Sequence, residues 1–503
     1  MKVKEKKQLT EYGTTFVFYM ISIFLVYMMF MHPLMTSDYI PTYPLKDEVE
    51  LLDLASLTSG GRFIVFFINR FHWLLAKMNI TYFENAYIMQ IMGIMLYSMS
   101  CTIVFYLIVD CFTDKKEIIF VKACVLFSMV NPCVVETFRY GAIDWSIGIL
   151  ITILSVRAII KRQYILGVIL GFCATSCYQS NCLILLIVSI GILCIRIDNN
   201  NIKEKIKHII YAIGITGVGA LLNIGLQKCL LKFLFPSVVP VKDVAMSSNN
   251  LGEHLLKIFF EMKRILLEFY DMLPRNCLLY FGALLLIPAI IYLVIKKKYI
   301  NSIMIALMFL AVIIVPFSFG IVTPVLWYAQ RTMLSLFWGI SLLIILILYQ
   351  VRDCQVLKKY TYTIVSIFAI IVVFYTETCI TDSYINQAVD KSEAISIHNE
   401  IVKYEEETGI KVDTIASRLS PGVNWENNSL LLRYNNITYN QRMVVDSWAQ
   451  GGYINYINNT SYQCRGMTDD EFSQYFEDYR DWNSYIPSNQ LHFEGNTLYW
   501  IIY

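Results

Sequence analysis

Four arginines and three acids stand where an apolar chain does not ordinarily carry charge. Arg62 in SGGRF, Arg139 in ETFRYGAIDW, Arg275 in DMLPRNC and Arg331 in WYAQRTML each fall at the end of an apolar run, on the side with few other cations. A guanidinium is a planar fork that binds a phosphate through paired hydrogen bonds, so several converging from different helices would make an oxyanion site at a membrane surface. One such arginine is as readily explained by snorkelling to headgroups; four favour anion binding. Glu136 and Asp144 bracket Arg139 within NPCVVETFRYGAIDW, directly after the helix-ending pair Asn131-Pro132. Ionisable groups at a membrane edge are costly to bury and are functional candidates by default, the competing reading being an ion pair that locks two helices. Asp38, in MTSDYIPTYP, sits among prolines and aromatics that stiffen its loop, and a carboxylate held there could take the proton from a sugar hydroxyl as a general base. Its acidic neighbours Asp47, Glu48, Glu50 and Asp53 read as a solvated loop. Tyr178, Gln179, Ser180 and Asn181 interrupt an apolar hairpin, either as a polar turn or as hydrogen-bonding groups at the same surface.

The elements that must position these residues follow from composition. Of 503 residues, 56% are hydrophobic and 16% charged, against roughly 45–50% and about 25% in soluble domains. Apolar runs long enough to cross a bilayer recur, predicting about eleven transmembrane helices. They include Ile118–Val135, the short pair Tyr164–Cys177 and Cys182–Ile197, and a last span over Thr361–Phe374. Lysines and arginines crowd into Met1–Lys7, Lys115–Lys122, Arg157–Arg162, Arg196–Lys207, Lys296–Lys298 and Arg352–Lys359. By the positive-inside rule these segments and the N-terminus are cytoplasmic, which leaves long outer segments over 32–84 and 231–276. The second holds the amphipathic stretch HLLKIFFEMKRILLEFYDML, suited to lying along the interface.

An odd helix count places the acidic tail outside. The expected organisation is a mainly α transmembrane domain over 1–379 and a small extracytoplasmic α/β domain over 380–503. The tail shows helix-like DSYINQAVDKSEAISIHNEIVKYEEE, strand-like KVDTIAS, and LHF and LYWIIY around EGNT.

Other classes lose support. The net charge of +2 is split between a basic membrane part and an acidic tail, which excludes a coat for nucleic acid. There is no Walker A pattern, no GxGxxG after a strand, no HExxH and no GxSxG. The 13 cysteines stand mostly alone in apolar stretches and the six histidines are scattered, so no metal cage follows from spacing, although a divalent metal is compatible with the chemistry below.

In combination, Asp38, the Gly61-Arg62-Phe63 motif, NPCVVETFRYGAIDWSIGI, the CYQS hairpin at Cys177–Ser180 and the tail helix resemble the GtrII-type bacterial glucosyltransferases, membrane enzymes of the GT-C superfamily, over nearly the whole chain. The resemblance implies transfer of a hexose, glucose above all, from a polyprenyl-phosphate donor to a cell-surface polysaccharide on the outer face of the cytoplasmic membrane. It also implies an inverting displacement with an early outer-loop acid, here Asp38, as base. Family members often pair two acids there. This chain has Ser37-Asp38, leaving a second carboxylate among Glu48, Asp53, Glu136 and Asp144. Gly61, Asn131, Tyr178 and Gln179 would contact substrate, and Arg62, Arg139, Arg275 and Arg331 would hold the donor phosphate. Three rivals are a flippase or exporter of lipid-linked sugars, which would carry its charges nearer the bilayer midplane, a related GT-C enzyme or polymerase with a different donor or product, and a non-catalytic scaffold, in which replacing Asp38 would change nothing beyond stability.

Overall fold

The computed structural model describes residues 2–31, 58, 60–78, 82–139, 142–197, 201–238, 251–321, 326, 328–420, 442, 444, 450–477 and 485–502. The chain divides into two compact units, the first reaching to Glu377 and the second taking up the chain from Thr378. The helices of the first are α1 (Lys2–Tyr27), α2 (Phe63–Lys77), α3 (Tyr82–Ile108), α4 (Lys115–Phe127), α5 (Pro132–Arg139), α6 (Ala142–Ile160), α7 (Tyr164–Cys177), α8 (Asn181–Arg196), α9 (Ile202–Phe233), α10 (Leu251–Glu268), α11 (Cys277–Ile295), α12 (Tyr299–Ile314) and α13 (Leu334–Val351). The division between units falls within α14 (Gln355–Thr408), a helix of 54 residues.

Eight helices among the described residues are long and apolar enough to cross a membrane, and α4 with α5 would make a ninth. This is a multi-pass membrane protein, but helix length does not reach the expected eleven. At 1.5 Å per residue the 14 residues of α7 and 16 of α8 span only about 21 and 24 Å, short of the roughly 30 Å hydrocarbon core. Large apolar side chains such as Leu221, Ile291 and Leu307 lie exposed on α9, α11 and α12, as hydrocarbon-facing residues must. By contrast α13 is buried from Leu334 to Leu348 and forms the centre of the unit. A Cβ on Gly191 of α8 would lie 2.8 Å from Leu342 of α13, so that contact requires the smallest residue.

The expected span Ile118–Val135 is in fact the bent pair α4–α5, with a 54° change of direction between Phe127 and Pro132. The break has a sequence cause. Proline at the first position of α5 cannot donate to the preceding helix, and Asn131 caps α5 by accepting from the Cys133 N–H at 3.1 Å. The groups freed by the break are satisfied from α1, where the Tyr27 hydroxyl lies 3.0 Å from the Met129 carbonyl and 3.2 Å from that of Asn131, and accepts from the Asn131 N–H at 3.3 Å. From α3, Gln90 donates to the Phe138 carbonyl at 2.6 Å and Tyr97 to Thr137 at 2.9 Å. The short α5 is thereby held on two sides.

Between α10 and α11 the backbone takes a rare course. Phe269, Tyr270 and Asp271 are consecutively left-handed, with φ of 44°, 58° and 60°. Each such non-glycine residue costs about 1–2 kcal/mol. Burial of Phe269 and Tyr270, and the Tyr270 hydroxyl donating to the Tyr328 carbonyl, hold the turn in place.

The second unit has a four-stranded sheet of β1 (Thr414–Leu419), β2 (Gln463–Gly466), β3 (Leu491–Glu494) and β4 (Thr497–Ile502), in the order β2-β1-β4-β3. β1 runs parallel to β2 and β4, and β3–β4 is an antiparallel hairpin turning at Gly495, φ 56°. Ile415, Ala416, Trp500 and Ile501 are fully buried around it. The strands expected in KVDTIAS, LHF and LYWIIY appear. β2, whose four residues are all exposed, was not foreseen.

Candidate functional site

The residues that converge come from the ends of five helices. Glu136, late in α5, is fully buried and accepts from the Arg331 backbone N–H at 2.7 Å and from its guanidinium. Arg331, in the turn leading into α13, also donates through Nε to the Tyr178 hydroxyl at 3.2 Å. Tyr178 follows α7 directly, and its ring lies 4.0 Å from that of Trp145, the fourth residue of α6. Arg62, one residue before α2, places its guanidinium 4.8 Å above the Tyr178 ring. Arg331 lies 6.0 Å over Trp145. Two cations therefore share one aromatic pair, an arrangement strengthened in a desolvated setting.

The loop bearing Arg62 is anchored by amides. Gln179 donates to the Gly60 carbonyl, and Asn223 of α9 donates to the Gly61 carbonyl at 2.8 Å and to Ser176 at 2.9 Å. Gly61 has φ 66°, and a Cβ there would sit 2.8 Å from the Asn223 side-chain oxygen. Glycine is required on both counts.

The charges are not equivalent. A buried carboxylate bonded to both the backbone and the guanidinium of one residue fixes that residue, and Glu136 does this for Arg331. Among the described residues, Arg62 has the Tyr178 ring as its partner and no hydrogen-bond acceptor, and its Nε is buried. Its donors are oriented, and no described residue accepts from them. Asp144, in the first turn of α6 immediately before Trp145, is half-buried and favourably placed for a helix N-terminus.

Of the residues singled out in the sequence, Arg62, Glu136, Tyr178 and Arg331 form one contact network, with Gly61 and Gln179 supporting the loop beside it. Arg275 is not brought in; its side chain is 76% exposed and pairs with Glu268 at 3.5 Å. The Asn131 side chain is engaged in the α5 cap and in a 2.9 Å bond to the Ser128 carbonyl. Asp38, Glu48 and Asp53 lie outside the described residues, as does the side chain of Arg139. Trp145 and Asn223 were not anticipated, although a lone asparagine in an apolar span is a signal that could have found Asn223. Among the described residues no three His, Cys, Asp or Glu side chains gather to hold a metal.

A bundle of helices this long and apolar defines a polytopic membrane protein. The family profile described as Glucosyl transferase GtrII matches residues 47–348, more than half of the chain, and the chain belongs to that family of glycosyltransferases. The match takes in every residue of the cluster; Asp38 and the second unit fall outside it. No curated protein and no solved structure gives a match.

Proposed function

We propose that the protein moves a hexose, glucose in the first instance, from a polyprenyl-phosphate donor to a cell-surface polysaccharide at the outer face of the cytoplasmic membrane, with the Arg62 end of the bundle outward and the tail domain extracytoplasmic. The observation that carries this reading is the Arg62 guanidinium, held over Tyr178 beside the fixed Arg331–Glu136 pair with its donors open. In an inverting transfer the acceptor hydroxyl oxygen attacks the anomeric carbon as the bond from that carbon to the phosphate oxygen breaks. The leaving polyprenyl phosphate keeps the electron pair, and a carboxylate takes the hydroxyl proton. Positive groups preorganised at the leaving oxygens stabilise charge where it develops.

In this scheme Arg62 grips the donor phosphate and Arg331 adds its charge from a position set by Glu136, which is a positioning residue. Asp38 is the base, as the family resemblance implies, with Asp144 as the second carboxylate. Residues 380–503 act as a separate domain. The test is turnover by the purified full chain with polyprenyl-phosphate glucose and cell-wall polysaccharide. Arg62→Ala abolishes most turnover, Arg62→Lys restores part of it, and Asp38→Asn is inactive while still binding donor. Equal turnover by Asp38→Asn removes it from the base role. Absence of turnover with every polyprenyl-phosphate sugar favours the transport reading.

A further inference from the structure

A cavity of about 240 Å³ opens between α10, α11, α12 and α13, lined by apolar side chains with one charged exception, Lys263. Its lining residues on α11 come from the first half of that helix, those on α13 from its first eleven residues, and those on α12 from the last turns. The groove therefore reaches from the end at which Arg331 enters α13 to the middle of that helix. Phe259 and Leu279 at the rim are each more than half exposed, so the groove opens to hydrocarbon.

Two features decide what fills it. First, the groove and the Arg62 cluster use different faces of α13. Leu336, Ile340, Leu343 and Ile344 line the groove, whereas Leu342 packs against Gly191 of α8, the helix that continues from the Tyr178 turn, and Gly339 sits between Ile187 of α8 and the groove residue Val312. With α13 buried from Leu334 to Leu348, a chain lying in the groove has that helix between it and the Leu342–Gly191 contact with α8. Second, the charge at the rim is a single cation. Glu261 and Arg264 on the same helix pair with each other at 2.6 Å, and Lys263 is exposed with no ion pair among the described residues. An unpaired ammonium above an apolar slot is complementary to a lipid whose phosphate lies at the interface and whose chain lies in hydrocarbon.

We infer that this groove is a second lipid site, separate from the donor site, which seats one acyl chain of an anionic phospholipid with its phosphate on Lys263. The seated chain packs α10 against α11 and α13, next to the left-handed turn at Phe269–Asp271. The site goes beyond the transferase reading and does not depend on it, because its readout is lipid occupancy.

The test uses the full chain in phosphatidylcholine nanodiscs containing phosphatidylglycerol with a photoreactive acyl chain, and maps the adducts by mass spectrometry. Adducts concentrate on groove residues of α11–α13. Lys263→Glu lowers their yield by about fivefold or more, the scale of one interfacial lysine, while Lys263→Arg retains it. Gly282→Phe, at a position where an added Cβ meets only the Phe309 ring at 3.4 Å, fills the groove and removes the adducts. Three results overturn the proposal. The first is adducts spread evenly over the exposed apolar helices, and the second is equal labelling by a phosphatidylcholine probe. The third is displacement of the probe by polyprenyl phosphate as effective as that by unlabelled phosphatidylglycerol, which would make the groove the donor's own seat.

Discussion

Two buried guanidinium–carboxylate clusters among the described residues hold their cations differently. In the tail, Arg442 is 2% exposed and bonds Asp390 at 2.7 Å and Glu393 as well, one cation serving two acids. In the membrane unit the buried acid Glu136 holds Arg331, and a further cation, Arg62, rests on an aromatic ring. The first cluster encloses its cation, leaving no donor for a ligand. The second leaves a guanidinium oriented and chemically available. Desolvated charge therefore does not mark a site by itself. What distinguishes a ligand-handling cluster is the sign of its excess and whether that excess has a partner.

Removing cations from each cluster tests this contrast. Arg442→Leu leaves two buried carboxylates without a countercharge and is expected to destabilise the tail by about 3–5 kcal/mol, read by limited proteolysis and thermal unfolding of the full chain. Stability within about 1 kcal/mol of the parent would show the tail cluster to be as open as the other. Arg62→Ala should behave oppositely, leaving unfolding unchanged while turnover falls by about 10²–10³-fold, the scale of losing one preorganised donor. A parallel loss of stability would make Arg62 a packing residue and erase the contrast. Gly61→Ala, which combines a positive φ with the close Asn223 oxygen, is expected to destabilise by about 2 kcal/mol and to weaken donor binding by displacing Arg62. Isothermal titration with the donor lipid checks it.

The smallest effect belongs to an exposed pair that serves as a control. Glu471 closes a capping box with Thr468 at the start of the helix Asp469–Phe476, and its hydrogen bond with Arg465 lowers its pKa to about 2. Because the folded-state value is depressed, this stabilisation is complete above the ordinary glutamate range and is lost as pH falls through about 2. Glu471→Gln should therefore lower stability by about 1 kcal/mol at neutral pH, and the difference from the parent should vanish near pH 2 in unfolding measurements across that range.

Much of this arrangement was legible one residue at a time and not as a set. Arg62, Glu136, Tyr178 and Arg331 are each conspicuous against apolar surroundings, because burying them is costly wherever they point. Arg275 is conspicuous for the same reason and turns out to be exposed, since hydropathy records depth in the chain and not direction in space. The tail hairpin was readable from its alternation and its Gly-Asn turn. β2, polar and exposed on every residue, carries no such pattern and exists because β1 offers it a free edge. The last span and the tail helix read as two elements because composition changes near Asp382. No glycine or proline intervenes, however, and the backbone continues as one helix.

The Tyr27 hydroxyl at the break between α4 and α5 has a consequence for biogenesis. Asn131 and Pro132 set the bend, and without Tyr27 the Met129 and Asn131 carbonyls opened by it would have no partner on α1. The amino-terminal helix must already be in place to receive Met129 and Asn131, so it acts as a template for a later segment. Deleting it would leave the bend unsupported on that side and loosen the hold on α5, from which Glu136 reaches Arg331.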